Sequence, residues 1–567
     1  MTEKPSGISF GTSENARIVL EERYLRRDLD GRICETPEQL IWRVASTVAL
    51  AEGRQSRKYS DHYFEMMSAG RFLPNTPTLM NAGKTDGQLS ACYVLPVGDS
   101  LESIFESLKQ AAIIHQSGGG TGFSFSSVRP KGSAVRSTHG TASGPVSFMR
   151  IFDVATETIK QGGVRRGANM GVLRVDHPDI LEFIDAKRDL RSIINFNISV
   201  GITSEFMRAL SGDEGFTLRR PHDGKPVQKV SARELFRKIT EAAWVCGDPG
   251  LVFLDRINAF NPTPRLGSME STNPCGEQPL LSFESCNLGS LNLGAYFGPE
   301  GFDWPLFRQD IRTAIRFLDN VVDVNVYPVR ESGEITRRNR KTGLGVMGFA
   351  DLLLLLGIAY DSPEAVVLGE RIMSVLDREA KRASASLAEE KGAFPNWRGS
   401  FWDKLGYPRM RNATVSTVAP TGTISILAGA SSGIEPIFSG VFYRNVLGGK
   451  RLMEVHPAVK KVLKQRGLSS PPNERSLARM MGSAWRPARE ISVESHVEMQ
   501  AAFQRHSDSA VSKTINLPKS STPEDIGRAY LSAHQKGCKG ITVYRDQSRP
   551  GQVLEAAQEG ACDICLD

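Results

Sequence analysis

The sequence predicts an α/β fold behind a small helical N-terminal region. Three observations predict it. From Ala16 to Gly70 the apolar residues recur at helical spacing, with Ile41, Val44, Val48 and Leu50 as candidate core positions. From residue 72 to about 545, helical stretches alternate with short apolar runs, the pattern of parallel strands linked by helices, with sites at strand ends. Within that stretch Ile194, Phe196, Ile198, Val200 and Ile202 alternate with Asn195, Asn197, Ser199 and Gly201, which reads as a strand with one buried face.

The elements follow in order. Residues 1–15 are expected to be unordered and 16–71 to form the helical region. One helix is expected from Asp99-Ser100, with Asp99 as cap, Glu102 at capping-box spacing, and Leu101, Ile104, Phe105 and Leu108 in helical period. Gly118-Gly119-Gly120 ends it. Another opens at Ser143-Gly144-Pro145 and stops at Gly162-Gly163, and a third opens at His177-Pro178. Residues 546–567, poor in apolar side chains and containing Arg549-Pro550-Gly551, read as a flexible tail.

Composition narrows the function classes. The 567 residues suffice for several domains, and the formal net charge of +7 is spread without a basic block. No nucleic-acid groove is indicated, and a mild positive excess suits a phosphorylated small substrate. The polar stretch from Met1 to Phe10 has no apolar signal-peptide core, and the run Leu352 to Ile358 is too short to cross a membrane. The expected compartment is the cytoplasm, where the eight cysteines are reduced thiols, catalytic groups or metal ligands. No metalloprotease histidine spacing and no Ser/His/Asp set is legible.

Cysteine context then sorts the candidates. Asn273, Cys275 and Glu277 are two residues apart, so an extended backbone would place a thiol, an amide and a carboxylate on one side. That is a plausible reaction centre, since a carboxylate accepts a proton from a substrate hydroxyl, and a surface loop is the other reading. Cys92, in a strand-like run, reads by itself as a buried core residue, and Cys34, Cys246 and Cys538 read as structural. Cys562 and Cys565 form the one C-x-x-C of the chain. Half a zinc site and a mobile exchange dithiol are both open, and the missing second pair favours exchange. The stretch from Tyr544 to Cys562 could extend roughly 60 Å. Gly118 to Gly122 and Pro420 to Ile424 offer unhindered backbone N–H groups to phosphates, although tight turns explain such runs as well and neither ends in the Gly-Lys-Ser/Thr of a P-loop.

Together with Pro74 to Thr78, Ser90-Ala91-Cys92, Gln161 to Arg165, Asn273 to Glu277, Cys286 to Ser290 and Ala419 to Thr423, these stretches resemble the large catalytic subunit of ribonucleotide reductases. The similarity is greatest to the adenosylcobalamin-dependent class. The resemblance implies a ten-stranded α/β barrel of two five-stranded halves, with an internal finger loop carrying the radical cysteine. It implies that Cys275 becomes a thiyl radical, that Glu277 accepts the 3′-hydroxyl proton, and that Asn273 holds the sugar. Cys92 and Cys286 would be the reducing pair, re-reduced by Cys562 and Cys565 with a thioredoxin- or glutaredoxin-like partner. Thr78, Ala91, Cys92, Gly120, Asn273, Pro274, Cys275, Gly276 and Glu277 match substrate-holding positions, and Pro420, Thr421, Gly422, Thr423 and Ile424 match the phosphate grip.

Asp99 and Arg129 match the site where a deoxynucleotide or ATP sets base preference, at the subunit interface of dimeric members. Lys187 and Arg188 are placed near the relaying loop. The ribonucleotide is expected to be a diphosphate. Two adjacent C-terminal tyrosines mark the classes that need a radical-donating subunit; here Ile541-Thr542-Val543-Tyr544-Arg545 has one. No glycyl-radical motif is present. Adenosylcobalamin is therefore the implied cofactor, with no protein side chain expected on its metal. A large subunit needing a separate radical generator is the alternative. No ATP-binding activity domain, such as some members carry, is expected ahead of the short N-terminal region.

Overall fold

A computed structural model describes residues 13–135, 139–161, 165–446, 450–468, 474–549 and 554–556. Ser13 accepts the N–H of Ala16 and opens α1 (Glu14–Val19), so helix begins inside the stretch expected to be unordered. Thr36 and Gln39 form a reciprocal capping box on α2 (Pro37–Ala49), with Pro37 in its first turn. Ile41, Val44 and Val48 are buried, but Leu50 is 66% exposed. The α-helix has ended there and a 3-10 turn swings Leu50 outward. α3 (Ser56–Ser68) packs on α2 and completes this region.

The next helices correct two boundaries. α4 (Leu101–Gln116) is capped by Ser100, whose hydroxyl accepts the Ser103 N–H. Asp99 is taken instead by Arg129, so the expected Asp99 cap is wrong. α5 (Pro145–Thr158) stops short of Gly162, because Lys160–Gln161 leave the helix to pair with Arg165–Arg166. α6 (Ile180–Asp185) begins just after His177-Pro178.

Ten strands form the large sheet: β1 (Phe72–Pro74), β2 (Cys92–Pro96), β3 (Gly120–Ser124), β4 (Asn169–Arg174), β5 (Phe196–Ile202), β6 (Gly250–Phe253), β7 (Ser285–Asn292), β8 (Thr342–Met347), β9 (Thr514–Leu517) and β10 (Gly540–Arg545). β5 starts at Phe196, leaving Ile194 exposed, and from Ile198 onward both of its faces are buried. A parallel strand covered on both sides has no solvent face, which is why Ser199 and Gly201 lie inside too.

Strands β2 to β6 pair in chain order, all parallel. The second half is also parallel: β7 pairs with β8 and β9 with β10. Between β8 and β9 runs a stave of residues 414–418, bridged at Leu344–Ser416 on one side and Val418–Val511 on the other. Its hydrogen bonds to both neighbours are made, with Thr417 N donating to Leu344 O at 3.0 Å and Ser512 N to Val418 O at 2.9 Å. The halves meet antiparallel at β6–β10 and β2–β7. This closes a ten-stave α/β barrel of two five-stranded halves, with β1 added antiparallel to the outer part of β7.

The chain from β6 to β7 turns into the barrel as a hairpin, Ser271–Thr272 against Pro279–Leu280. Glycine permits this: a Cβ on Gly122 of β3 would stand 1.8 Å from the Thr272 carbonyl oxygen, and one on Gly120 3.0 Å from the Pro274 ring. Asn197 of β5 donates to Pro274 O at 2.8 Å, and Thr417 of the opposite half donates to Glu277 O at 3.0 Å. The loop is therefore held by both walls. A large apolar core joins α1–α3 to the second half, and a second core covers the first half. No helix among the described residues is long and apolar enough to cross a membrane.

Candidate active site

Strand register brings two cysteines together. Cys92, first residue of β2, stands directly opposite Cys286 on β7 at the antiparallel seam. Opposite residues on such strands lie about 4.5–5.5 Å apart at Cα and project to one face, within the span a disulfide needs. Both thiols are buried and reduced. Their cluster contains Val94, Leu280, Leu288 and Ala419, with Ala91 packed on it. Burial pushes the Cys92 and Cys286 thiols well above the ordinary cysteine value, and the Glu277 charge adds to this. Both are protonated at neutral pH.

The stretch Asn273 to Glu277 is not extended. Pro274 and Gly276 make a tight turn, with Gly276 at φ 81° and its N–H donating to Asn273 O at 3.0 Å. The turn separates the three side chains expected on one side. Asn273 and Glu277 go inward, and Cys275 stays exposed. Asn273 Nδ2 donates to Cys92 Sγ at 3.1 Å while its Oδ1 accepts the Gln278 N–H at 3.0 Å. Glu277 is fixed through its backbone: its carbonyl accepts from Ala510 N at 2.8 Å and from Thr417 Oγ1. Its side chain is buried, Oε2 has no hydrogen-bond partner, and burial pushes its carboxyl up to about 7. A thiol pair, an amide on one of them, a carboxyl titrating near neutrality and a third thiol at a turn thus converge at the strand starts of the barrel.

A family model described as "Ribonucleotide reductase, barrel domain" matches residues 90–544, and one described as "Ribonucleotide reductase, all-alpha domain" matches residues 10–87. The chain belongs to the ribonucleotide reductase family. The "Vitamin B12-dependent ribonucleoside-diphosphate reductase" of Thermoplasma acidophilum is 48% identical, over 96% of this chain and 80% of the relative. A protein of the same name from Mycobacterium tuberculosis is also 48% identical over the same shares. The "Vitamin B12-dependent ribonucleotide reductase" of Streptomyces clavuligerus is 32% identical over 97% of this chain and 67% of the relative.

The other residues expected in this reductase site fall in three places. Thr78 is buried, its hydroxyl bonded to Asn75 and to Leu89 O, so it ties the turn after β1 to the segment leading into Ala91. Gly120 lies beside Cys92 in register and donates to Ala91 O at 2.9 Å. Pro420 to Ile424 follow Ala419 directly out of the cysteine cluster, into α7 (Ile424–Ala428). Of the two glycine runs, Gly118 to Gly122 serves close packing at Gly119, Gly120 and Gly122, whereas Gly422 is exposed with open space around it.

The effector candidates lie beyond the opposite ends of the same strands. Arg129 Nε donates to both oxygens of Asp99, at 3.0 and 2.9 Å, across the ends of β2 and β3. Lys187 is not on an open loop: it is buried and paired with Asp248 at 2.7 Å, while Arg188 pairs with Asp185. Cys246 and Cys538 are buried and Cys34 is exposed. Cys562 and Cys565 lie outside the described residues. Ahead of them Arg549 is held by Cys246 O and Asp248, and Leu554–Ala556 pairs with Phe442–Arg444. Thr417, Ala510 and Asn197, which hold the finger loop from distant parts of the chain, carry no local signal in the sequence.

Glu277 yields a signed pH dependence. Its folded pKa is raised, so its stabilising contribution is complete below about pH 4.5 and is lost as pH rises through about 7. Glu277→Gln cannot ionise, so at pH 8 it should unfold at higher denaturant than the parent, by up to about 3 kcal/mol, with the gap closing toward pH 5. Denaturant titration at both pH values checks this; a variant less stable than the parent at pH 8 contradicts it.

Proposed function

We propose that this chain is an adenosylcobalamin-dependent ribonucleoside-diphosphate reductase, making 2′-deoxyribonucleotides for DNA synthesis and repair. The observation that carries the reading is the register of Cys92 opposite Cys286, with Asn273 bonded to the Cys92 thiol and Cys275 at the adjoining turn. The names of the similar reductases support the diphosphate and the cofactor.

The residues take the following roles. Cys275, as a thiyl radical, removes the 3′ hydrogen of the ribose and later returns it. Glu277, deprotonated above about pH 7, accepts the 3′-hydroxyl proton. Asn273 orients the sugar beside the Cys92 thiol. The buried pair supplies the proton with which the 2′-hydroxyl leaves as water, gives two electrons, and closes as the Cys92–Cys286 disulfide. Their raised pKa values keep both thiols protonated at neutral pH until the substrate draws on them.

The cofactor supplies the initiating radical. The surroundings of Cys275 fit its approach: Cys275 is the exposed member of the three, and apart from its chain neighbours no described atom lies within 4 Å of the place a Cβ on Gly276 would take. Cys275 and Gly276 would form the edge facing it.

Thr78, Ala91, Gly120 and Pro420 to Ile424 would hold the nucleotide. Asp99 and Arg129 would bind a deoxynucleotide or ATP effector. Next to them α4 and α5 expose Leu101, Phe105, Ile113, Ile151 and Val154, an apolar face suited to a second copy of the chain. A monomer mass by sedimentation at micromolar concentration would contradict that homodimer.

The assay that tests the central reading uses the chain alone with adenosylcobalamin, dithiothreitol and a ribonucleoside diphosphate. Deoxyribonucleotide should form, and Cys275→Ser should abolish it while nucleotide binding persists. Product only after adding a metal-containing second subunit contradicts the cofactor assignment. For the tail, Cys562→Ser with Cys565→Ser should stop thioredoxin-driven turnover and leave dithiothreitol-driven turnover intact. Undiminished thioredoxin-driven activity would remove the tail from the cycle.

A further inference from the structure

The loop from Pro420 to Ile424 is completed by a side chain from the far end of the sequence. Arg23 lies in the single π-helical turn Leu20–Tyr24 that follows α1. Its Nη1 donates to Thr423 Oγ1 at 3.2 Å. Its Nε is buried and has no hydrogen-bond partner, and among the described residues no carboxylate is paired with it. An arginine that is partly buried without an acid is costly unless something anionic arrives. The contrast is Arg444, which also touches the loop through Gly422 O at 3.3 Å but is neutralised by Glu454 at 2.9 Å.

The position of Arg23 is built in. α1 packs on α7, and Ala16, Val19 and Leu20 share one core with Ile424, Ile426 and Leu427. The next residue, Tyr24, is buried and hydrogen-bonded to Thr76 at 2.8 Å. The loop is rigid on its own side: Thr421 sits at φ 52°, and its hydroxyl accepts the Gly433 N–H at 2.7 Å. Gly422 faces open space, and among the described residues the N–H groups of Gly422 and Thr423 donate to no protein atom. An unneutralised guanidinium and two unused N–H donors therefore meet at one opening. A guanidinium with spare donors matches phosphate oxygens in a fork.

We propose that Arg23 binds the terminal phosphate of the ribonucleoside diphosphate, so that the helical N-terminal region supplies part of the substrate site. The inference rests on the reading of Pro420 to Ile424 as the phosphate loop. Arg23 then contributes where a diphosphate ends, and contributes nothing to the sugar or base.

Binding of a ribonucleoside diphosphate and of the matching nucleoside, measured by competition dialysis on the full chain, separates the possibilities. The parent should prefer the diphosphate. Arg23→Gln should weaken diphosphate binding about ten- to hundredfold while changing nucleoside binding by less than about twofold. Arg23→Lys, which keeps the charge and loses the fork, should recover part of the loss. In turnover, KM for the diphosphate should rise in Arg23→Gln with kcat nearly unchanged. Equal weakening of both ligands would mean that Arg23 only shapes the fold, and unchanged diphosphate binding would make it a bystander; either overturns the inference. A parent that does not prefer the diphosphate would instead overturn the phosphate-loop reading on which the inference stands.

Discussion

The antiparallel seam between β2 and β7 is the constraint on which the rest of this structure depends. Each half of the barrel is parallel within itself, and the halves meet antiparallel here, which sets the start of β2 directly against the start of β7. At this seam the pair is Cys92 and Cys286. A slip of one residue would turn either thiol to the opposite face. The seam is kept in register by the pairing of Tyr93 with Ser285 and by β3 on the other edge of β2. The same seam sets the environment, since both thiols are buried among Val94, Leu280 and Leu288.

The finger loop adds what two buried thiols lack. It delivers an exposed thiol and a buried carboxyl to the same place, and it does so through backbone contacts from both halves. Gly122 lets Thr272 approach, Asn197 holds Pro274, and Thr417 with Ala510 holds Glu277. Burial then raises the proton affinity of Cys92, Cys286 and Glu277 alike. The two thiols stay protonated and the carboxyl titrates near neutrality, a difference that one low-dielectric pocket provides.

Local chemistry was legible in the sequence where one segment decides the outcome. The stop at Gly118 and the strand ending at Ile202 both depend on neighbours within a few residues. Ser100 taking the cap from Asp99 was not legible, because the competitor Arg129 is thirty residues away. The stave at 414–418 joins its neighbours through isolated bridges to Leu344 and Val511, distant partners that no local signal names. Spacing alone placed Asn273, Cys275 and Glu277 on one side, and the Pro274–Gly276 turn divided them. Cys92 taken by itself looked like core, and it is core; only its register with Cys286 distinguishes it. Arg23 lies four hundred residues from the loop it touches, beyond any local signal.

In the proposed mechanism the electrons for reduction come from Cys92 and Cys286. The most direct measurement is a single turnover of fully reduced chain with adenosylcobalamin and excess ribonucleoside diphosphate, with no external thiol and with Cys562 and Cys565 replaced by Ser. Acid quenching, alkylation and peptide mass analysis then locate the oxidised residues. One deoxyribonucleotide per chain is expected, matched by one disulfide joining Cys92 to Cys286, with Cys275 still alkylatable. Product formed while Cys92 and Cys286 both remain thiols, or a disulfide that includes Cys275, would contradict it.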